Sequence, residues 1–298
     1  MADDMARAGT EKPGTLFLCA TPIGNLEDMT YRAVRVLGEV PLIAAEDTRR
    51  TRQLLTHFGI STRLTSYHEH NKAEKGPGLI DWLRSGNDLA CVSDAGLPGV
   101  ADPGARLTAD AIAAGIQVVP IPGANAALSA LIASGLDTTR FSFIGFLPRT
   151  KEKRRECLAE AAGRTDTLIF YEAPHRLADT LQAIFDAMGD RPAVLARELT
   201  KKFEEFRRGN LSELLAWCGD NPPRGEFVIV VSGAAESQKE EKALLPEDVA
   251  SIVRALTEGG MAKKEAMREA AKRTGLSRRD VYQAVLAAEG KQIYKEGF

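Results

Sequence analysis

The sequence carries almost no net charge. Its 39 basic and 41 acidic residues give a formal charge of −2 over 298 residues. No field of one sign therefore surrounds the whole molecule, and any surface that attracts nucleic acid must be local. With 44% apolar and 27% charged residues, the composition is that of an ordinary soluble globular chain. Its length allows two domains and a small third one.

Cysteines are few and far apart. Cys19, Cys91, Cys157 and Cys218 form no C-x-x-C pair, and two of them lie in strand-like runs. This spacing predicts buried thiols in a reducing cytosol, and it argues against disulfides and cysteine metal ligands.

We also expect neither a secretory leader nor a membrane-spanning run. The first residues are polar and charged without an apolar core, so we expect a disordered tail over residues 1–13. The uncharged stretch from Ala111 to Leu136 is broken by two prolines, a glycine and an asparagine between positions 120 and 125. It therefore predicts strand, turn and helix, and the chain is expected to be cytoplasmic.

The sequence does have loops rich in glycine and proline that follow predicted strands. The longest, V-S-D-A-G-L-P-G-V-A-D-P-G at 92–104, lies between a buried strand at 88–91 and a helix at 105–114. Glycine and proline fix unusual dihedrals and allow close approach. Ligands of α/β sheets bind at such strand ends. A stiff connection in which Asp94 or Asp102 caps the helix explains the pattern equally well.

Two shorter loops repeat this arrangement. A strand at 15–20 leads into T-P-I-G-N-L-E-D-M-T at 21–30, where helix amides could hold an anion or a turn could be capped by Asn25 or Asp28. A strand at 117–121 leads into P-G-A-N-A-A at 122–127. Its small residues suit either a flat ring lying on the backbone or plain close packing.

Charged residues gather at the ends of other predicted strands. E-D-T-R-R at 46–50 follows a strand at 41–45, and it indicates either a polar site or an acidic helix start. F-Y-E-A-P-H-R at 170–176 and A-R-E-L-T-K-K at 196–202 place acids and bases at two strand ends of a second α/β unit. We interpret them as a functional face, with an interdomain salt-bridge cluster as the alternative.

Two further polar stretches have simpler interpretations. R-T-K-E-K-R-R-E at 149–156 could contact phosphates, but a solvated helix face is the commoner use of such a run. His68 and His70 are spaced like metal ligands, yet no third ligand follows at a recognisable spacing. We therefore expect no metal.

The carboxyl-terminal stretch predicts three helices, at 246–258, 262–274 and 277–289, joined by helix-turn-helix-like turns. Gly275 suits a helix end, and Ser277 with Asp280 suits a capping box. Between positions 261 and 279, seven basic residues face two acidic ones, a net charge of +5. This is a local nucleic-acid footprint, with a packing or dimer element as the alternative. The basic residues are Lys263, Lys264, Arg268, Lys272, Arg273, Arg278 and Arg279.

Six motifs in register resemble one family. T-P-I-G-N-L-E-D-M-T, E-D-T-R, V-S-D-A-G-x-P-G-x-x-D-P-G, P-x-P-G-A, F-Y-E-A-P-H-R and A-R-E-L-T-K cover residues 15 to about 233. The pattern is similar to the bacterial ribosomal RNA small subunit methyltransferase I family of the tetrapyrrole methylase superfamily. The resemblance implies methylation of the ribose 2′-oxygen of a decoding-centre cytidine in 16S rRNA, by a homodimer. It also implies two α/β domains, at 14–123 and 124–235, with S-adenosylmethionine in the cleft between them. A linker at 236–245 and a helical RNA-docking domain at 246–298 would follow.

The resemblance also implies which residues bind the cofactor. The expected set is Pro22, Gly24, Ser93, Asp94, Ala95, Gly96, Pro98, Pro122, Gly123, Asn125, Ala126, Leu147 and Ala196. Two positions depart from the family pattern. Asn125 replaces a small residue, and Leu97 stands where a threonine is common.

Methyl transfer to a ribose hydroxyl needs a group that manages the hydroxyl proton. Our hypothesis is that one carboxylate among Glu46, Asp47, Glu172 and Glu198 acts on it, with Lys201, Arg49 or Arg176 holding phosphate. Two other functions remain open, a small-molecule methylase on the same fold and a non-catalytic nucleic-acid-binding protein.

Overall fold

The computed structural model describes residues 12–235, 246–274 and 277–293. Its contacts divide the chain into two compact units, Met1–Ala234 and Ala235–Phe298. The linker expected at 236–245, the helix-ending Gly275 and most of the tail expected at 1–13 lie outside the described residues.

Five parallel strands form the first sheet, in the order β3-β2-β4-β1-β5. The central strands β2 and β4 are buried along their whole length, as expected for a parallel sheet covered on both faces. The strands are β1 (Thr15–Cys19), β2 (Ile43–Ala45), β3 (Leu64–Ser66), β4 (Leu89–Val92) and β5 (Gln117–Ile121). The helices are α1 (Tyr31–Glu39), α2 (Thr48–His57), α3 (Lys72–Arg84) and α4 (Gly104–Ala113).

Two helix pairs cover the two faces of this sheet. Leu37 of α1 and Leu55 of α2 pack with one set of strand residues. Leu83 of α3 and Leu107 of α4 pack with the opposite set. Because all five strands run the same way, the loops that follow them meet at one edge of the sheet.

The second sheet has five strands in the order β6-β7-β10-β8-β9. β6 and β7 are parallel, whereas β10 runs antiparallel to β7 and β8. The strands are β6 (Phe141–Phe146), β7 (Thr167–Glu172), β8 (Pro192–Arg197), β9 (Glu205–Asn210) and β10 (Phe227–Val231). The helices are α5 (Ala126–Ser134), α6 (Lys151–Ala162), α7 (Leu177–Met188) and α8 (Leu211–Asp220).

Helix α5 directly follows the first sheet in the chain but packs on the second. Its Ala127, Ala130 and Leu131 contact the core around Ile169, and the Ala127 N–H donates to Tyr171 Oη at 3.1 Å. The chain therefore crosses from one sheet to the other in the short stretch between β5 and α5.

The second unit consists, in its described part, of α9 (Pro246–Glu258), α10 (Lys263–Thr274) and α11 (Arg278–Ile293). Val249, Val253, Ala266 and Val281 belong to its apolar core. The expected fold class, two α/β sheets of the tetrapyrrole methylase type followed by a helical region, is confirmed. Within the described residues, no helix combines the length and the apolar character that crossing a bilayer requires.

Candidate active site

A cavity of about 520 Å³ lies where the carboxyl edge of the first sheet faces the second sheet. This volume is within the usual range for pockets that hold small ligands. The first sheet contributes the loops after β1, β2, β4 and β5, and the second contributes the ends of β6, β7 and β8 with the start of β10. The sequence-predicted residues that line it are Glu46, Ser93, Asp94, Ala95, Gly96, Asn125, Ala126, Glu172 and Ala196.

Other predicted residues lie outside the lining of this cavity. They are Pro22, Gly24, Asp47, Pro98, Pro122, Gly123, Leu147, Glu198 and Lys201. Some of them have clear packing roles. A Cβ on Gly123 would lie 2.8 Å from the Ala20 Cβ, and Leu147 is buried. Their contact with a ligand remains a prediction.

The first and third motifs are joined by their backbones. Thr21 and Gly96 form a two-way bridge, with N–O distances of 2.9 and 3.0 Å, and Thr21 Oγ1 donates to the Ser93 carbonyl at 3.2 Å. Gly96 has a φ of +78°, a conformation that suits glycine. The joined loops form a rigid backbone wall on one side of the cavity.

Two aspartates hold the long loop in shape. Asp102 Oδ1 accepts from the Gly99 and Gly104 N–H groups, both at 2.7 Å, so it ties the loop to the first residue of α4. Asp94 Oδ1 accepts from the Asp47 N–H at 3.0 Å, and its Oδ2 pairs with Arg50 at 3.2 Å. Asp94 therefore connects the ends of β2 and β4 and caps no helix, whereas Asp102 does bond the start of α4.

Glu46 and Asp47 are neighbours with different surroundings. Asp47 caps α2 by accepting from the Arg49 N–H at 2.8 Å, and its hydrogen bond with the Arg49 side chain lowers the pKa of Asp47. Glu46 lines the cavity, and the one hydrogen bond that it accepts from the described residues is long, 3.3 Å from the Asp94 N–H. Burial raises the pKa of Glu46, and the charges of Asp94 and Asp102 add to that effect.

Glu172 is saturated, which means that both of its carboxylate oxygens accept hydrogen bonds. Its side chain is 0% exposed and accepts from Thr180 Oγ1 at 2.7 Å and from the Ala173 N–H at 2.9 Å. Arg176 lies 3.6 Å from Glu172 and donates to the carbonyl of Leu147 at 3.1 Å. This cluster fixes the ends of β6 and β7 against α7.

Glu198 and Lys201 form a second saturated cluster. Lys201 Nζ donates to Glu198 Oε1 at 3.0 Å and to Glu226 Oε2 at 2.8 Å. Burial works against both charges, but the hydrogen bonds prevail, so the pKa of Glu198 is lowered and that of Lys201 is raised. Glu198 and Thr200 have φ values of +50° and +66°, which marks a strained turn.

Gly24 of the first motif lies against this second cluster. A Cβ on Gly24 would lie 2.5 Å from Lys201 Cγ. The first loop thus leaves room for a lysine of the second sheet, which brings the two motifs together although neither residue lines the cavity.

Several residues that line the cavity were not predicted from the sequence. Most are apolar or aromatic and carried no charge signal, so a search for polar strand ends passed over them. They include Ile23, Val100, Phe146, Tyr171, Leu199, Phe227 and Val228. Glu226 was missed because β10 is antiparallel, and the start of that strand therefore lies at the edge where the other strands end.

The two departures from the family pattern both line the cavity. Asn125 Oδ1 accepts from the Leu128 N–H at 2.9 Å and so caps α5, while Leu97 adds apolar surface. Asn125 therefore has a structural role whatever it contacts in the cavity.

The seven basic residues predicted between positions 261 and 279 are all exposed. A groove of about 630 Å³ is lined by Arg268, Lys272 and Arg278 together with Glu265 and Glu269. Arg273 pairs with Glu269 at 3.0 Å. In the first unit, Arg49 is exposed beside Asp47, whereas the Arg176 side chain is only 19% exposed.

His68 and His70 lie close together, with 6.1 Å between ring centroids. In the part of the chain that the structure describes, no group of three or more His, Cys, Asp or Glu side chains could hold a metal ion.

Comparisons with known proteins give consistent results. Residues 15–215 match the family model described as Tetrapyrrole (Corrin/Porphyrin) Methylases, and residues 243–289 match that of the RsmI C-terminal HTH domain. The chain is 51% identical to the ribosomal RNA small subunit methyltransferase I of Halalkalibacterium halodurans, over 90% of this chain and 93% of the relative. Its identity to the Bacillus subtilis protein of that name is 47%, over 94% and 97%. A solved cobalt precorrin-4 methyltransferase shares the fold at 15% identity and a TM-score of 0.56, covering 73% of this chain and 94% of that one.

Proposed function

Since the chain belongs to the ribosomal RNA small subunit methyltransferase I family of tetrapyrrole methylases, we propose that it methylates the ribose 2′-oxygen of a cytidine in 16S rRNA. S-adenosylmethionine is the methyl donor. The observation that carries the proposal is the cavity, because the motifs that line it come from both sheets and are those of the family.

The cavity suits S-adenosylmethionine in size and charge. Glu46, Asp94 and Asp102 line it and complement the positive ammonium and sulfonium groups. Leu97 and Val228 supply apolar surface for the adenine ring. When bound, the donor supplies an electrophilic methyl group and a neutral leaving group.

Glu46 is the best candidate for the group that accepts the ribose proton. It lines the cavity, its pKa is raised by burial, and no described residue forms an ion pair with it. A general base works best when its pKa approaches the operating pH. The environment of Glu46 moves its pKa in that direction.

The other three carboxylates are better suited to positioning. Asp47 caps a helix, Glu172 is buried among donors, and Glu198 is held by Lys201. For Asp47 and Glu198, hydrogen bonds that stabilise the carboxylate lower its pKa and therefore its basicity. Lys201, held between two carboxylates, stays protonated and orients the turn after β8 rather than holding phosphate.

We place RNA docking on the helical unit. The seven exposed basic residues between Lys263 and Arg279 would provide phosphate contacts, which predict a steep loss of affinity with salt. Removing residues 236–298 should raise the KM for the RNA substrate while S-adenosylmethionine affinity is unchanged. Normal methylation by the truncated protein would refute this role.

The experiment that tests the function is transfer of labelled methyl to small ribosomal subunits from a strain lacking the endogenous activity, with nuclease mapping of ribose methylation. Label on a single cytidine 2′-oxygen is expected. If the cofactor binds but RNA stays unlabelled, the small-molecule methylase alternative replaces this proposal. If the cofactor does not bind either, a non-catalytic nucleic-acid-binding protein replaces it.

The proposal extends to assembly and location. A homodimer is supported by exposed apolar side chains on α5, where Leu128 is 44% and Ile132 is 76% exposed. Light scattering of the purified protein, and of Ile132→Glu, would test it.

Because small subunits are cytoplasmic, the enzyme should act in the cytoplasm.

A further inference from the structure

The start of α6 carries a dense group of positive charges. Between Arg149 and Glu156, five basic residues face two acidic ones, a net charge of +3. Four of the basic side chains are exposed and Arg154 is half-buried. We call the stretch 149–155 the α6 basic segment; its basic residues are Arg149, Lys151, Lys153, Arg154 and Arg155.

None of the five cations of the α6 basic segment forms an ion pair within the described residues. Arginines elsewhere in the same unit do form pairs, such as Arg50 with Asp94, Arg164 with Asp166 and Arg197 with Glu205. What distinguishes the segment is that five unpaired cations lie within seven consecutive positions, 149–155.

The position of these charges in the helix is unfavourable in the free protein. Lys151 and Lys153 lie in the first turn, next to the positive end of the helix dipole, where cations destabilise a helix. Lys151 and Arg155 are also a like-charged i,i+4 pair. The helix-starting Thr150 makes no side-chain cap, so the first amides add to the positive field. Such a concentration of donors and charge is complementary to an anion.

The α6 basic segment is close to the cavity in the chain. Phe146, the last residue of β6, lines the cavity and is 56% exposed. Only Leu147 and Pro148 separate it from Arg149. The basic segment therefore begins three residues after a partly exposed side chain that lines the cavity.

Carboxylates on the neighbouring helix α7 reduce the positive field on the side of α6 that faces this helix. Asp179 and Asp186 line a groove with Lys151, Arg154 and Arg155. Arg149 and Lys153 do not line that groove, and both are exposed. These two side chains are the cations best placed to contact an external polyanion.

We propose that the α6 basic segment binds the phosphate backbone of the substrate RNA beside the cavity, with Arg149 and Lys153 as its principal contacts. The proposal rests on the RNA methyltransferase function proposed above. It adds to the α/β unit an RNA surface separate from the basic helices of the carboxyl-terminal unit. Phosphate contacts fix the register of a nucleic acid, so this surface would set which nucleotide enters the cavity.

The test compares two double variants that each remove two positive charges. R149Q/K153Q removes the principal contacts. R63Q/R140Q removes two exposed, unpaired arginines that directly precede β3 and β6, at the strand ends away from the cavity. Glutamine is a good helix former, and none of these side chains is in an apolar core, so both variants should fold like the parent.

Two quantities are measured for each protein, the Kd for small ribosomal subunits as a function of salt and the KM for them in methyl transfer. For R149Q/K153Q we expect Kd and KM to rise on the order of tenfold at 0.1 M salt, and the salt slope to fall by about 1.4 to 1.8. S-adenosylmethionine affinity and kcat at saturating subunits should not change. R63Q/R140Q should behave like the parent.

The two proposals fail in different ways. If the parent methylates RNA but R149Q/K153Q keeps the parent's Kd, KM and salt slope, the α6 surface is refuted and the function stands. Equal losses in both double variants would also refute it, because they would reflect net charge alone. If the parent transfers no methyl group to RNA, the function fails, and the Kd and salt slope still decide whether the surface binds RNA.

Discussion

The two sheet edges that form the cavity differ in how their carboxylates are held. On the first sheet, Glu46 has one long hydrogen bond and a raised pKa. On the second, Glu172 and Glu198 are surrounded by short hydrogen bonds and ion pairs. A carboxylate without strong partners can accept a proton, whereas a saturated one fixes the backbone around it. We therefore propose that the first edge supplies reactivity and that the second supplies geometry.

The largest effect should come from the reactive edge. Glu46→Gln keeps the size of the side chain but cannot accept the ribose proton, so kcat should fall by about 10² to 10⁴. The rate is measured in single turnover, with S-adenosylmethionine affinity determined by calorimetry. Asp47→Asn is the matched control and should cost little activity, since Asp47 caps a helix. Similar losses of activity in both variants would show that Glu46 and Asp47 do not differ in their roles.

A substitution at the saturated edge of the second sheet should lower the stability of the protein. Glu172→Ala leaves Thr180 Oγ1 and the Arg176 guanidinium without their carboxylate, at a cost of about 1–3 kcal/mol in the free energy of unfolding. Denaturant unfolding measures it. Glu160→Ala, on the exposed surface of α6, should change it by less than about 0.5 kcal/mol. A stable Glu172→Ala protein would show that this cluster does not hold the edge.

The contact between the two edges can be broken at a glycine. Gly24→Ala introduces a Cβ 2.5 Å from Lys201 Cγ, so the lysine must move and kcat/KM should fall about tenfold. Gly38→Ala, in α1 with open space around it, should instead leave activity unchanged. Equal activity of both variants would show that the position of Lys201 does not affect the reaction.

The smallest effect is a difference in pH dependence. The raised pKa of Glu46 means that the folded state holds its proton longer than the unfolded state, so this group lowers stability as pH rises through its pKa. The lowered pKa of Glu198 acts oppositely, adding stability that is lost as pH falls below the ordinary glutamate range. The free energy of unfolding, measured from pH 3 to pH 7, should therefore increase for Glu46→Gln relative to the parent as pH rises. Over the same range, the free energy of unfolding of Glu198→Gln should decrease relative to the parent.

The sequence was sufficient to locate the loops but not to separate these roles. Glycine, proline and charge at strand ends predicted which segments surround the cavity, because the carboxyl ends of parallel strands meet at one edge. The partners that decide the chemistry are distant in the chain. Thr180 contacts Glu172 from the first turn of α7, and Glu226, which contacts Lys201, directly precedes the antiparallel strand β10. No local pattern predicts such contacts.

Strand β9 was missed for a related reason. Its sequence, E-F-R-R-G-N, is mostly charged and polar, and it pairs only with β8 at the edge of the second sheet. Edge strands commonly carry charge because it prevents further strand pairing. A search for apolar runs therefore detects the central strands and overlooks this one.

Single-turnover methyl transfer to unmodified small ribosomal subunits, measured for the parent, Glu46→Gln and Glu198→Gln across pH, tests the account most directly. The account predicts label on one cytidine 2′-oxygen. The rate should rise with pH through a carboxylate pKa above the ordinary range in the parent and in Glu198→Gln, and should be nearly lost in Glu46→Gln. Full turnover by Glu46→Gln, with the parent's pH profile, would contradict it.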